Sequence, residues 1–160
     1  MREALELGIE IHGTVHPRIG LHKTLLGMLL HDKGDLVNAE ATLREALSIF
    51  GESLDDDHQY TASALTELGA VLNASGRAAE AREILQRALR IRLQDYPPEH
   101  VLVAATQIEY GDTLSRLGLF EQAQPLLEEG LVLLSGNADR RFRRATEALE
   151  RFRVLSGERD

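Results

Sequence analysis

Residues 68 to 89 read LGAVLNASGRAAEAREILQRAL, and five of them, Gly69, Gly76, Ala81, Leu85 and Leu89, return at a fixed distance on both sides. Adding 42 gives Gly111, Gly118, Ala123, Leu127 and Leu131, and subtracting 42 gives Gly27, Gly34, Ala39, Leu43 and Leu47. A fixed period of this size marks a stacked array, in which no unit buries its apolar face without its neighbours. The spacing therefore predicts a binding scaffold and leaves open what it binds.

Within each unit the pattern predicts two antiparallel helices joined at a glycine. Gly34, Gly76 and Gly118 each follow a helical run, and a residue free to take positive φ ends a helix and turns the chain. The second helices carry Ala39, Leu43, Ala46 and Leu47, then Ala81, Leu85, Ala88 and Leu89, then Ala123, Leu127, Gly130 and Leu131. Small residues there let paired helices approach while Leu fills the gap, and Gly27, Gly69 and Gly111 are the matching small positions on the first helices. Glycine in a helix costs ~1 kcal/mol relative to Ala, so close packing is the reason to keep it. The expected pairs span 17–33 with 36–50, 58–75 with 78–94, and 100–117 with 120–134. His16-Pro17 opens the first pair, since Pro is accepted in a first helical turn.

The 160 residues, 43% apolar and 4% aromatic, suffice for one core built from Leu and Ala. Without Cys there is no disulfide, thiolate catalysis or Cys-ligated zinc, which fits a reducing compartment. No apolar run approaches the ~20 residues that cross a bilayer, and Arg2, Glu3 and Glu6 interrupt any signal-peptide core. The reading is a cytoplasmic chain with no membrane contact. Its formal charge is -8, yet residues 139–160 hold seven Arg against five acids. The repeats are thus the acidic part, which speaks against nucleic acid as a partner.

The spacing of Gly27 to Ala39, Gly69 to Ala81 and Gly111 to Ala123 resembles the tetratricopeptide repeat, in its 42-residue, kinesin-light-chain-like form. The resemblance covers nearly the whole chain, although the Trp common near the start of each first helix is missing. It implies an all-α, right-handed solenoid of antiparallel helix hairpins. The expected organisation is a single domain over 1–160: a half repeat at 1–15, full repeats at 16–57, 58–99 and 100–138, and a capping helix and tail at 139–160. Ala4 and Leu5 sit 42 before Ala46 and Leu47, so the chain is expected to start inside a repeat, as a piece of a longer protein. HEAT and armadillo units have similar lengths but leave the Gly-to-Ala spacing unexplained. Tyr96-Pro97-Pro98-Glu99-His100 and the helix from Arg140 to Leu155 also look like the C-terminal repeats of some bacterial serine/threonine protein kinases. That likeness implies a regulatory or substrate-docking segment of a larger kinase; these residues contain no phosphate loop or catalytic Asp motif.

Among polar candidates, His16, His58 and His100 are spaced by 42 and so mark one structural position in separate units, too far apart to share a metal. His12 and His16 have i, i+4 spacing but no third ligand. Asp55, Asp56 and Asp57 precede a helix and are expected to cap it, since no EF-hand spacing follows. Pro125 falls early in a second helix and is expected to be tolerated there. No cofactor, metal or catalytic residue is expected. Leu5, Leu7, Ile9 and Ile11 form an apolar edge through which weak self-association is expected.

The resemblance also implies that first helices line the concave face. By phase this exposes Thr24, Met28 and His31 from the first unit, Thr66, Glu67, Ala70 and Asn73 from the second, and Glu109, Asp112, Ser115 and Arg116 from the third. Glu67, Glu109 and Asp112 against one Arg116 favour a protein or peptide segment with Lys or Arg, seated beside an apolar contact at Met28. The terminal helix, with Phe142, Ala145, Leu149 and Phe152 on one stripe and Arg144, Glu147 and Arg151 on the other, is expected to cap the stack.

Overall fold

A computed structural model describes residues 15–136 and 140–157 of the chain. All seven elements within them are α-helices: α1 (Pro17–Asp32), α2 (Leu36–Ser53), α3 (Gln59–Ala74), α4 (Ala78–Asp95), α5 (Val101–Arg116), α6 (Phe120–Leu134) and α7 (Arg140–Ser156). The three expected hairpins are present, α2 running three residues further than anticipated. The apolar edge at Leu5, Leu7, Ile9 and Ile11, and His12, lie outside the described residues.

Each hairpin turns at the glycine that the repeat placed there. Gly34, Gly76 and Gly118 take φ of 79°, 76° and 73°, the left-handed region where a Cβ is costly. The residue after each one donates its N–H to a carbonyl five positions back: Asp35 to Leu30 at 2.9 Å, Arg77 to Leu72 at 2.8 Å, Leu119 to Leu114 at 2.9 Å. Orphan carbonyls of the first helix are satisfied in the same way three times.

The start of α3 uses a different device from the one expected, and α1 and α5 share it. His16, His58 and His100 are the N-caps, each Nδ1 accepting the N–H two residues on, from Arg18 at 3.1 Å, Tyr60 at 3.1 Å and Leu102 at 3.2 Å. The 42-residue His spacing is therefore a capping position. The three aspartates before α3 do not cap it: Asp57 instead accepts from Gln94 Nε2 at 3.4 Å and the Asp56 carbonyl from Arg87. A cap must stand immediately before the first helical residue, and His58 occupies that place. Pro17 stands at the first turn of α1, and Pro125 lies inside α6, which continues through it.

Packing inside a hairpin depends on the glycine of the first helix. A Cβ on Gly27 would lie 2.6 Å from Leu43 Cγ, one on Gly111 would lie 2.9 Å from Leu127 Cγ, and one on Gly69 would collide with Leu85. Leu43, Leu85 and Leu127 and their partners Ala39, Ala81 and Ala123 are fully buried. Full burial of each Leu contributes about 1.5–3 kcal/mol, so the three knobs are a principal source of cohesion.

Successive first helices pack on one another, α1 on α3 and α3 on α5, whereas α2 and α4, and α4 and α6, do not. Long side chains reach from α2 to α4, as in the ion pair of Arg44 with Glu80 at 3.4 Å. The first helices thus lie on the inside of the curve. α7 packs on α5 and α6, burying Ala145, Ala148 and Phe152 against Ala104, Ile108, Leu127 and Leu134. It covers the apolar side of the third hairpin and leans further onto that hairpin's first helix than α3 does on α1 or α5 on α3.

Candidate binding groove

Hydroxyls and amides that point between neighbouring first helices form the floor of the concave face. Thr66 Oγ1 lies 3.1 Å from Thr106 Oγ1, and Asn73 Nδ2 donates to Thr113 Oγ1 at 2.8 Å. Thr24, Thr66 and Ser115 each also donate to the carbonyl four residues back in their own helix. Asn73 is 2% exposed and Ser115 1%; Asn73 is consumed in joining α3 to α5, and Ser115 is turned back onto its own helix. Helical phase placed both on the inner side, but the contact between α3 and α5 takes up Asn73.

Above this floor lie two connected hollows. The larger, about 390 Å³, brings together Thr24, Met28, Thr66, Glu67 and Glu109 with Leu21, Leu25, Leu102 and Arg92. The smaller, about 220 Å³, gathers His31, Ala70, Asn73, Asp112 and Arg116, with Glu109 on its border with the first. Of the residues expected in the groove, Ser115 alone lines neither hollow.

The carboxylates in this groove already have partners, and all but one come from α7. Arg140 makes a two-pronged contact with Glu67, at 3.0 and 3.1 Å, and its Nε reaches Asp32 at 2.9 Å. Arg144 lies between Glu67, at 3.2 Å, and Glu109, at 2.8 Å. Asp112 is shared by Arg151 at 2.7 Å and its own helix neighbour Arg116 at 2.8 Å. The expectation of Arg116 as the single Arg set against Glu67, Glu109 and Asp112 is corrected here: α7 lays an arginine stripe along the groove. Arg140, Arg144 and Arg151 follow a spacing of four and seven, so the stripe was readable, but which surface it faced was not.

Crowding splits the acids. Burial lifts Glu109 to about 7, with the charges of Glu67 and Asp112 adding to the rise and Arg144 offsetting only part of it. Burial also opposes the charge on Glu67, but Arg144 and Arg140 outweigh it and hold this carboxyl below its ordinary range. Burial, assisted by Arg144, depresses His31 and favours its neutral form.

Arg92, a residue of a second helix, was not anticipated at the groove. It is 4% exposed, lines the larger hollow, donates from Nη1 to Gln59 Oε1 at 3.0 Å and from Nη2 to Ser63 Oγ at 2.8 Å, and its Nε–H has no partner. The 42-residue pattern offered no signal for it, since the equivalent positions are Phe50 and Leu134.

The family model described as tetratricopeptide repeat matches residues 19–94 and 60–135. Among solved structures the chain is similar to the putative kinesin light chain nearly identical TPR-like repeats of Podosopora anserina. Identity is 21%, with 89% of this chain and 69% of that one covered, at a TM-score of 0.73. A form of the same repeats carrying one substitution aligns with a TM-score of 0.71 at the same identity and coverage. At that identity the likeness concerns the fold. No curated protein matches the chain.

Proposed function

The chain belongs to the tetratricopeptide repeat family, whose repeats mediate protein–protein interactions, and from that premise we propose that its concave face receives a protein or peptide segment carrying Lys or Arg. The observation that supports this is the way in which Glu67, Glu109 and Asp112 hold guanidinium groups. All three are engaged by arginines of α7 at 2.7–3.2 Å, so the row has the geometry for basic side chains. An incoming segment exchanges with α7 for these carboxylates. Met28 and Leu25, on the wall of the larger hollow, give it an apolar contact.

The test is calorimetry with an Arg- and Lys-bearing peptide and its Gln-substituted counterpart. The double change Glu67→Gln and Glu109→Gln should weaken binding of the basic peptide and flatten its salt dependence. Arg144→Met, which removes the internal competitor, should tighten it. Changing Glu128 and Glu129, on the α6 side, to Gln is the control; loss of binding there with no effect in the groove would move the site to the outer face.

A further inference from the structure

The larger hollow has a second charged end that the acidic row does not explain. Its wall carries four arginines, Arg92, Arg140, Arg141 and Arg144, against Glu67 and Glu109, although the chain as a whole has a formal charge of -8. Arg140 and Arg144 are matched by those two acids and Asp32. Arg92 is not matched: its hydrogen-bond partners are the neutral Gln59 and Ser63, and among the described residues no carboxylate pairs with it. Burial pushes its guanidinium below the ordinary value, opposed by Tyr96 and reinforced by Arg141.

A buried cation without a counter-ion is costly, because its attraction to an opposite charge is what offsets lost hydration. A guanidinium also recognises carboxylate and phosphate through paired N–H groups along one edge, and Arg92 retains an unused Nε–H on the edge it shares with Nη2. Gln59 and Ser63 hold the fork in a fixed orientation, so little side-chain freedom remains to be lost on binding.

We infer that the Arg92 end of this hollow is a site for an oxyanion, supplied by the bound segment as an Asp or Glu carboxylate or as a phosphate monoester. It rests on the concave-face reading only for the origin of the anion; the site itself exists without a partner. A segment that satisfies both ends carries a basic residue at the Glu67–Glu109 row and an acidic group at Arg92.

Free anions test it without any peptide. Glutarate and inorganic phosphate are titrated separately into the chain while the Arg92 Nε–H resonance is followed by nitrogen-15 NMR and the melting temperature is recorded. A saturable displacement of that resonance with a rise in melting temperature is expected, with affinity at least about tenfold lower in Arg92→Met, a difference of about 1.4 kcal/mol. Response to phosphate alone assigns the site to a phosphorylated segment, and response to glutarate assigns it to an acidic side chain. A resonance unmoved by either anion overturns the inference, as does an equal thermal response in Arg92→Met. Should that variant fail to fold, the resonance of the unaltered chain still decides. A groove that binds these anions but no basic peptide would sink the proposed function and leave this site standing.

Discussion

Arg144 bridges Glu67 and Glu109, its Nη1 3.2 Å from one carboxylate and its Nη2 2.8 Å from the other. A single residue of α7 thereby joins α3 to α5 on the inside of the curve, in a place where all three side chains are at most 16% exposed. Removing one member of a buried pair leaves the others without compensation, which typically costs about 3–5 kcal/mol. Arg144→Met should lower the free energy of unfolding by that order. Arg143→Met, one residue away and 64% exposed, should stay within about 0.5 kcal/mol. Urea unfolding of the two variants decides the matter, and equal effects would remove the bridge from the account.

The split between the two acids sets the pH dependence. Glu109, raised from 4.5 to about 7, keeps its proton in the folded chain over a range where the unfolded chain has released it. Stability from this group therefore falls as pH rises through that window. Glu67 has the opposite sign: its depressed pKa contributes stability above the ordinary carboxylate value, lost as pH falls through the folded value. Melting temperature against pH should decline from about 5 to about 7 on the Glu109 account, and Glu109→Gln should flatten that decline while leaving the acid limb in place. An unchanged slope in the variant would assign the decline to other groups.

Gly69 and Gly51 offer a matched contrast. Both sit in helices, where Ala has the better propensity by ~1 kcal/mol. A Cβ on Gly69 collides with Leu85, whereas one on Gly51 meets nothing within 4 Å. Gly69→Ala should destabilise by about 1–3 kcal/mol through overpacking, and Gly51→Ala should stabilise by about 0.4–1 kcal/mol. Thermal melts of the two variants give the signs directly.

The histidine caps can be tested at α3. His58→Ala removes the acceptor for Tyr60 N–H and should cost about 0.5–2 kcal/mol, with His58→Asp recovering most of it. If Asp were no better than Ala, capping would not be what fixes His at this position.

The hairpins were legible because the same physical demands recur in each unit: a left-handed turn at Gly34, Gly76 and Gly118, and a close approach at Gly27, Gly69 and Gly111. The groove was only partly legible. Helical phase put Glu67, Glu109 and Asp112 on the inner side, but Ser115 is lost from it and Asn73 is tied up between α3 and α5, because phase alone does not supply the spacing between helices. The seating of α7 depends on how far three units curve, which no single residue encodes. Arg92 lies off the repeat pattern and shows itself only through the burial of a charge.

The contact between Arg140 and Asp32 spans 108 residues in an architecture whose close packing couples each unit mainly to its neighbours. It fastens the last described helix to the first hairpin, so that fraying at either end is opposed from the other. An open stack loosened at its third unit would lose that unit and its interface with the second. Here the same event also releases Asp32 and Glu67, so unfolding should gain cooperativity from the groove side chains, and added salt should broaden the transition as well as lower its midpoint.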